Sequence, residues 1–124
     1  MRFMMMVKAA EPSGPPPQGL MDAMGVHMQE AVQKGTMVMA GGLAPIAQSH
    51  RVRLSGGRVS VLDGPFAESK EVVGGFAIMD FKSEEEALQA AKDFIELHKK
   101  HWPGWEGESE VRQLFGPDDF RPEK

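Results

Sequence analysis

Cysteine is absent from this 124-residue chain. Its absence excludes disulfides, thiolate metal ligands and a cysteine nucleophile together. Tyrosine is absent too, so no phenol can donate a proton, and proton chemistry falls to carboxylate, histidine or lysine. Basic residues are in deficit: 14 Lys and Arg stand against 18 Asp and Glu, a net charge of −4. That is the wrong balance for a protein that grips nucleic acid by its phosphates. Long apolar runs are also missing. The opening Met1-Arg2-Phe3-Met4-Met5-Met6-Val7-Lys8 holds a short apolar run between two cations, too short for a secretory signal or for the about twenty residues of a membrane helix. No membrane and a cytoplasmic location are therefore expected. The glycine pairs Gly41-Gly42, Gly56-Gly57 and Gly74-Gly75 lack the spacing of a phosphate-cradling loop, and Ser69 and Ser83 lack the frame of a nucleophile elbow. Nothing calls for a nucleotide, another cofactor or a metal.

What remains is an ordinary globular composition, 41% hydrophobic and 26% charged, at a length that suits one domain. Phe3 to Val7 reads as a central strand, and the Pro-rich segment from Glu11 to Pro17 as a loop. Met21, Met24, Met28, Ala31 and Val32 recur at helical spacing in Leu20 to Lys34, stopped by Gly35. Thr36 to Ala40 is a second strand. Arg51 to Leu54 and Arg58 to Val61 alternate polar and apolar residues about Ser55-Gly56-Gly57, a hairpin with one wet face. Val72 to Phe81 is the most apolar strand, and its Gly74-Gly75 pair suggests a bulge or a close backbone approach. Ser83 with Glu86 forms a capping box before a helix that ends in His98-Lys99-Lys100-His101. Ser109 to Phe115 is a last strand. Two strand–helix–strand units in succession predict an α+β, ferredoxin-like sandwich with both helices on one face of an antiparallel sheet. The domain spans 1–115, followed by a charged tail over 116–124. A sheet covered on one face only predicts a homodimer through the bare face.

The segment Asp63-Gly64-Pro65-Phe66-Ala67-Glu68-Ser69-Lys70-Glu71, followed by Gly74-Gly75-Phe76, resembles the signature of the DGPF family, a branch of the YCII-related proteins. The likeness extends over nearly the whole chain, through Lys34-Gly35, Arg51-Val52-Arg53, Ser83-Glu84-Glu85-Glu86-Ala87 and Glu110-Val111-Arg112. It implies a dimeric α+β barrel fold but no particular reaction. Genes of the family often lie near those of alternative sigma factors, which implies a regulatory setting. The YCII branch is associated with a proposed His–Asp pair whose histidine sits on the first helix. Counted from Gly35, that position here is Met24, and Gln33 and Lys34 stand where the family's helix end would bring an aspartate. The pair is therefore not expected intact, with His27, one turn on, as the nearest substitute.

Read from the residues themselves, Asp63 either accepts amide hydrogens within its own turn or acts as a general base beside the charges of Glu68, Lys70 and Glu71. Phe66 is a core plug or an apolar pocket wall. Arg112 pairs with a protein carboxylate or holds an anionic ligand. His27 is a partly buried packing residue or an acid–base group. His98 and His101 suit a helix C-terminus through the dipole. Trp102 and Trp105 cap the core or the dimer seam, or line a pocket entrance. The ten methionines cluster in elements expected to surround one core and border the pocket. The leading expectation is a small polar ligand bound between the sheet, the first helix and the 63–71 loop, touching Met24, Phe66, Glu68, Lys70, Glu71 and Arg112. The alternatives are a cofactor-free acid–base enzyme of lyase or isomerase type, with Asp63 or His27 as base, and a dimeric protein-interaction module.

Overall fold

The computed structural model describes residues 1–10, 14–66 and 71–120. Glu68 and Lys70 lie outside the described residues. The strands are β1 (Arg2–Ala9), β2 (Met37–Gly42), β3 (His50–Ser55), β4 (Arg58–Asp63), β5 (Val72–Asp80) and β6 (Gly107–Gln113), and the helices α1 (Gln18–Lys34) and α2 (Glu84–His101). Four strands form an antiparallel sheet in the order β2-β5-β1-β6, and β3-β4 stands apart as a two-stranded arm inserted between β2 and β5. Without the arm, the order is that of a ferredoxin-like α+β sandwich.

Local chemistry accounts for the element ends. α1 stops where Gly35 turns left-handed at φ 76°, a conformation that favours glycine, and Lys34 places a cation in the last turn. Ser83 caps α2 by accepting from the Glu86 amide at 3.2 Å, while the Glu86 carboxylate accepts from the Lys82 amide at 3.1 Å. The return bond thus falls one residue earlier than in a standard capping box. In β5 the register with β1 skips between Val7–Gly75 and Lys8–Val73, so Gly74 is the bulged residue. Gly75 meets the Gly41 carbonyl so closely that a Cβ would sit 3.3 Å from it. The pair therefore serves both purposes that glycine suggests in a strand.

The two faces of the sheet differ. Met5 and Met79 pack with Ala31 of α1 and Ala91 of α2, with Met37, Ala77 and Val111 around them. Alternation then places Met4 and Met6 of β1, Phe76 and Ile78 of β5 and Met39 of β2 on the opposite face, paired across strands. No helix covers that face among the described residues. The methionines accordingly divide. Met5 and Met79 are core, whereas Met21, Met28 and Met39 are exposed, so the expectation of one methionine-lined region holds only for the core. No described helix is long and apolar enough to cross a membrane.

Candidate functional site

A cleft of about 740 Å³ opens at one end of the sheet. The residue after β1, the residue before β5, the first residues of β6, the last turns of α2 and the loop after it all converge there. Its walls are Glu71, Ile95, Lys99, Trp102, Trp105 and Glu108, with Gly104 and Gly107 at the backbone. The volume lies in the range usual for small-molecule sites.

The aromatic wall follows from how α2 ends. The Trp102 amide donates to the His98 carbonyl at 2.8 Å and the Trp105 amide to the Trp102 carbonyl at 3.1 Å. Gly104 takes φ +82° to close this turn, a conformation costly to a residue with a Cβ. The turn folds Trp105 back over His98, with ring centroids 4.5 Å apart, and stacks it on Trp102 at 6.1 Å. The ladder continues through Phe94, 5.0 Å from His98, to His27 on α1, 5.9 Å from Phe94. His98 is buried, and its Nδ1 donates to the Phe94 carbonyl at 3.0 Å. Gly107 holds the indole in place by having no side chain: a Cβ there would fall 2.4 Å from Trp105 and 2.6 Å from the Lys8 carbonyl.

The polar wall is a carboxyl pair. The Glu71 side chain hydrogen-bonds to that of Glu108, and this bond, with the like charge of Glu108, holds the Glu71 carboxyl above the usual carboxylate range. The Lys8 ammonium opposes the shift but is partly committed elsewhere, lying 3.2 Å from Glu110 and 3.7 Å from Glu108. Those bonds, that to Glu110 first, raise the Lys8 pKa. Carboxyl oxygens accept hydrogen bonds, and a carboxyl with a raised pKa keeps its donating proton to higher pH.

A second polar pair marks the root of the arm. His50 and Asp63 face each other in the β3–β4 register, and His50 Nδ1 donates to Asp63 Oδ1 at 2.6 Å. The turn that follows is anchored: the Gly64 amide donates to the Ser49 carbonyl at 2.9 Å, and Ser49 Oγ donates to the Ile46 carbonyl at 2.6 Å. Phe66 is buried beneath the Arg51 guanidinium, which stands 3.6 Å from its ring centroid.

Among the residues expected at the site, Glu71 lines the cleft. Phe66 is absent from its described walls and packs under the arm instead. Arg112 is an exposed cation 3.8 Å from Glu110. Met24 and His27 lie on α1, whose residues are not among the cleft's described walls. Asp63 is partnered by His50 and His27 by Phe94, so the two candidate bases occupy different places. The described cleft is therefore bounded by the second helix rather than the first. The residues not anticipated are Lys99, Glu108, Gly107 and His50. Glu106, Glu108 and Glu110 alternate in sequence, and on a strand that period aligns them on one face, which was the available signal for Glu108.

Residues 1–96 match the YCII-related domain family. An uncharacterized protein of Rhizobium meliloti (strain 1021) is 36% identical over 83 residues, which is 67% of this chain and 63% of that relative. The match thus spans less than two thirds of the relative's length. A solved structure of 5-chloro-2-hydroxyhydroquinone dehydrochlorinase (TftG) from Burkholderia phenoliruptrix AC1100, in complex with 2,5-dihydroxybenzoquinone, aligns over 96% of this chain and 98% of its own, with 16% identity and a TM-score of 0.49.

Proposed function

The chain belongs to the YCII-related family, and on that footing we propose that it binds a small polar ligand in the cleft at the end of the sheet. The observation that carries this reading is the Glu71–Glu108 carboxyl pair opposite the Trp102–Trp105 stack within one open cleft. Indole faces take up a flat or apolar ring. The carboxyl pair offers lone pairs to a donor, the raised pKa of Glu71 keeps its donating proton to higher pH, and Lys99 adds a cation to the lining. The ligand that fits is a small ring bearing hydroxyl or amine groups. Its role is regulatory sensing rather than turnover, as the family's setting implies.

The chain supplies its own reporter. It contains two tryptophans and no tyrosine, so its indole emission comes entirely from the cleft wall. Titration with small ring compounds carrying hydroxyl or amine groups is expected to change that emission saturably, with affinity reduced in Glu71→Gln and Lys99→Ala. Ligands that bind with unchanged affinity in both variants would place the site elsewhere.

The raised pKa of Glu71 beside Glu108 also favours a second reading, a cofactor-free acid–base enzyme. Two neighbouring carboxyls, of which Glu71 has a raised pKa, are a pairing in which one can give a proton while the other takes one. Turnover of a bound compound that disappears in both Glu71→Gln and Glu108→Gln, with binding retained, would favour catalysis over sensing. In either case the bare sheet face, with Met4, Met6, Phe76, Ile78 and Met39 paired across it, is the surface through which two copies are proposed to dimerise.

A further inference from the structure

The cleft at the end of the sheet has two walls of unlike charge. Ile95, Lys99 and Trp102 recur at i, i+4 and i+7, so one stripe along the end of α2 forms the first wall, continued by the Trp105 indole. Glu71 and Glu108 form the second. The β1–β6 register keeps the two apart. Gly107 and Glu108 are successive residues of β6, paired with Ala9 and Lys8, and successive side chains of a strand point to opposite faces. Position 107 looks toward the Trp105 indole, which a Cβ there would meet at 2.4 Å. Glu108 is directed to the other face, with the Lys8 ammonium at 3.7 Å. Lys99 forms no ion pair with any described residue. One cleft thus holds an ammonium and a carboxyl pair that are not closed on each other.

We propose that the cleft takes a zwitterion: a ring compound whose ammonium meets Glu71 and Glu108, whose ring lies on the Trp102–Trp105 wall and whose carboxylate meets Lys99. The proposal rests on the cleft reading above and names the charges that its ligand carries. Carboxyls beside indole faces suit an organic cation, which gains from the negative charge and from the ring quadrupole together. Glu71, Glu106 and Glu108 line the cleft without converging as a metal-ligating group among the described residues. On the first wall a single ammonium balances a single negative charge. A carboxylate therefore fits Lys99, whereas a phosphate dianion would carry excess charge toward three carboxyls.

A neutral ring would leave both walls unanswered. The bond from Glu108 and its like charge hold the Glu71 carboxyl above the usual carboxylate range, against the pull of Lys8. Lys8 does not remove that repulsion, because it lies nearer to Glu110, at 3.2 Å, than to Glu108. A bound ammonium beside Glu71 relieves it. Hydrogen bonds to ionised groups are about twice as strong as neutral ones, so a ligand with both charges is selected over an analogue with one.

The test uses the full chain and four probes built on one ring. Para-aminomethylbenzoate carries both charges, para-hydroxybenzylamine lacks the carboxylate, para-hydroxymethylbenzoate lacks the ammonium, and para-hydroxybenzyl alcohol lacks both. Calorimetric titration measures affinity, tryptophan emission reports the cleft, and circular dichroism confirms that each variant folds. Para-aminomethylbenzoate is expected to bind about tenfold or more tighter than any other probe. Lys99→Ala should weaken the two carboxylates about tenfold and hydroxybenzylamine much less, and Glu71→Gln should weaken the two amines about tenfold and hydroxymethylbenzoate much less. If Glu71→Gln does not fold, Glu108→Gln replaces it with the same expectation. Uncharged para-hydroxybenzyl alcohol binding as tightly as the zwitterion, with emission still responding, overturns the zwitterion and leaves the cleft reading standing. Variants that weaken every probe equally do the same. Probes that all fail to bind, or that bind with unaltered emission and unchanged affinity in both variants, overturn the cleft reading and this inference with it.

Discussion

Gly107 links the stability of the sheet to the shape of the cleft, and replacing it with alanine should perturb both. The added Cβ would lie 2.4 Å and 2.5 Å from two atoms of the Trp105 indole and 2.6 Å from the Lys8 carbonyl oxygen. The indole can swing aside, but only by leaving His98, whose ring centroid it meets at 4.5 Å. The carbonyl cannot swing, because Lys8 is paired within the ladder to Glu108. Relief therefore requires the end of the β1–β6 pairing to open as well as the indole to move. Overpacking of this kind costs about 2 kcal/mol. For a chain of this length that corresponds to a fall in melting temperature of about 8 °C. Thermal denaturation followed by circular dichroism measures the fall, and the emission of the two tryptophans reports the displaced indole in the same sample. Gly74→Ala is the control, since a Cβ there meets nothing within 4 Å. If Gly107→Ala melts within about 2 °C of wild type with unaltered emission, the close packing of Trp105 on the start of β6 is not what shapes the cleft.

Gly64→Ala should be more damaging, because its Cβ would overlap the Ile46 carbonyl, a backbone atom in a turn already bonded to Ser49. A loss of about 3 kcal/mol by urea denaturation is expected, and a loss under about 1 kcal/mol would count against the anchoring of that turn. Glu108→Gln removes the carboxylate whose hydrogen bond and like charge raise Glu71, so the Glu71 pKa should move back down when followed by carboxyl NMR. The sign of the linked stability is set by the raised value. The folded chain holds the proton more tightly, so this contribution is complete below the unfolded pKa and disappears as pH rises through the folded one. An unchanged Glu71 titration in Glu108→Gln would refute the pairing. Ser83→Ala should cost about 1 kcal/mol through loss of the α2 cap, measured by the same denaturation.

The secondary structure was legible because periodicity and punctuation agree. Gly35 ends a helix by its left-handed turn, Ser83 begins one, and the interval between Leu54 and Arg58 makes a hairpin. Boundaries drifted where side chains are silent. β6 begins at Gly107 rather than Ser109, since Gly107 and Glu108 carry no strand signal of their own and are recruited by pairing with Ala9 and Lys8. The arm's hairpin was visible, but its separation from the main sheet was not, because alternation describes a strand's two faces and says nothing of what covers them.

The site was less legible for a physical reason: its chemistry is made by distant residues. Glu71, just before β5, acquires its character from Glu108 on β6, and neither has a neighbour in sequence that would mark it. Asp63 did have a marked motif, yet its partner His50 is brought to it only by the ladder register. Charge around Lys8 shows what the assembly accomplishes. One ammonium faces Glu108 and Glu110 directly and reaches Glu71 electrostatically, and Arg112 adds its cation on the Glu110 side. Glu71 meets the Lys8 cation only at a distance, and its hydrogen bond to Glu108 with the like charge there holds its carboxyl above the usual carboxylate range against the pull of Lys8. In a chain with neither tyrosine nor cysteine, that balance is the means by which a weakened acid is placed beside the indoles.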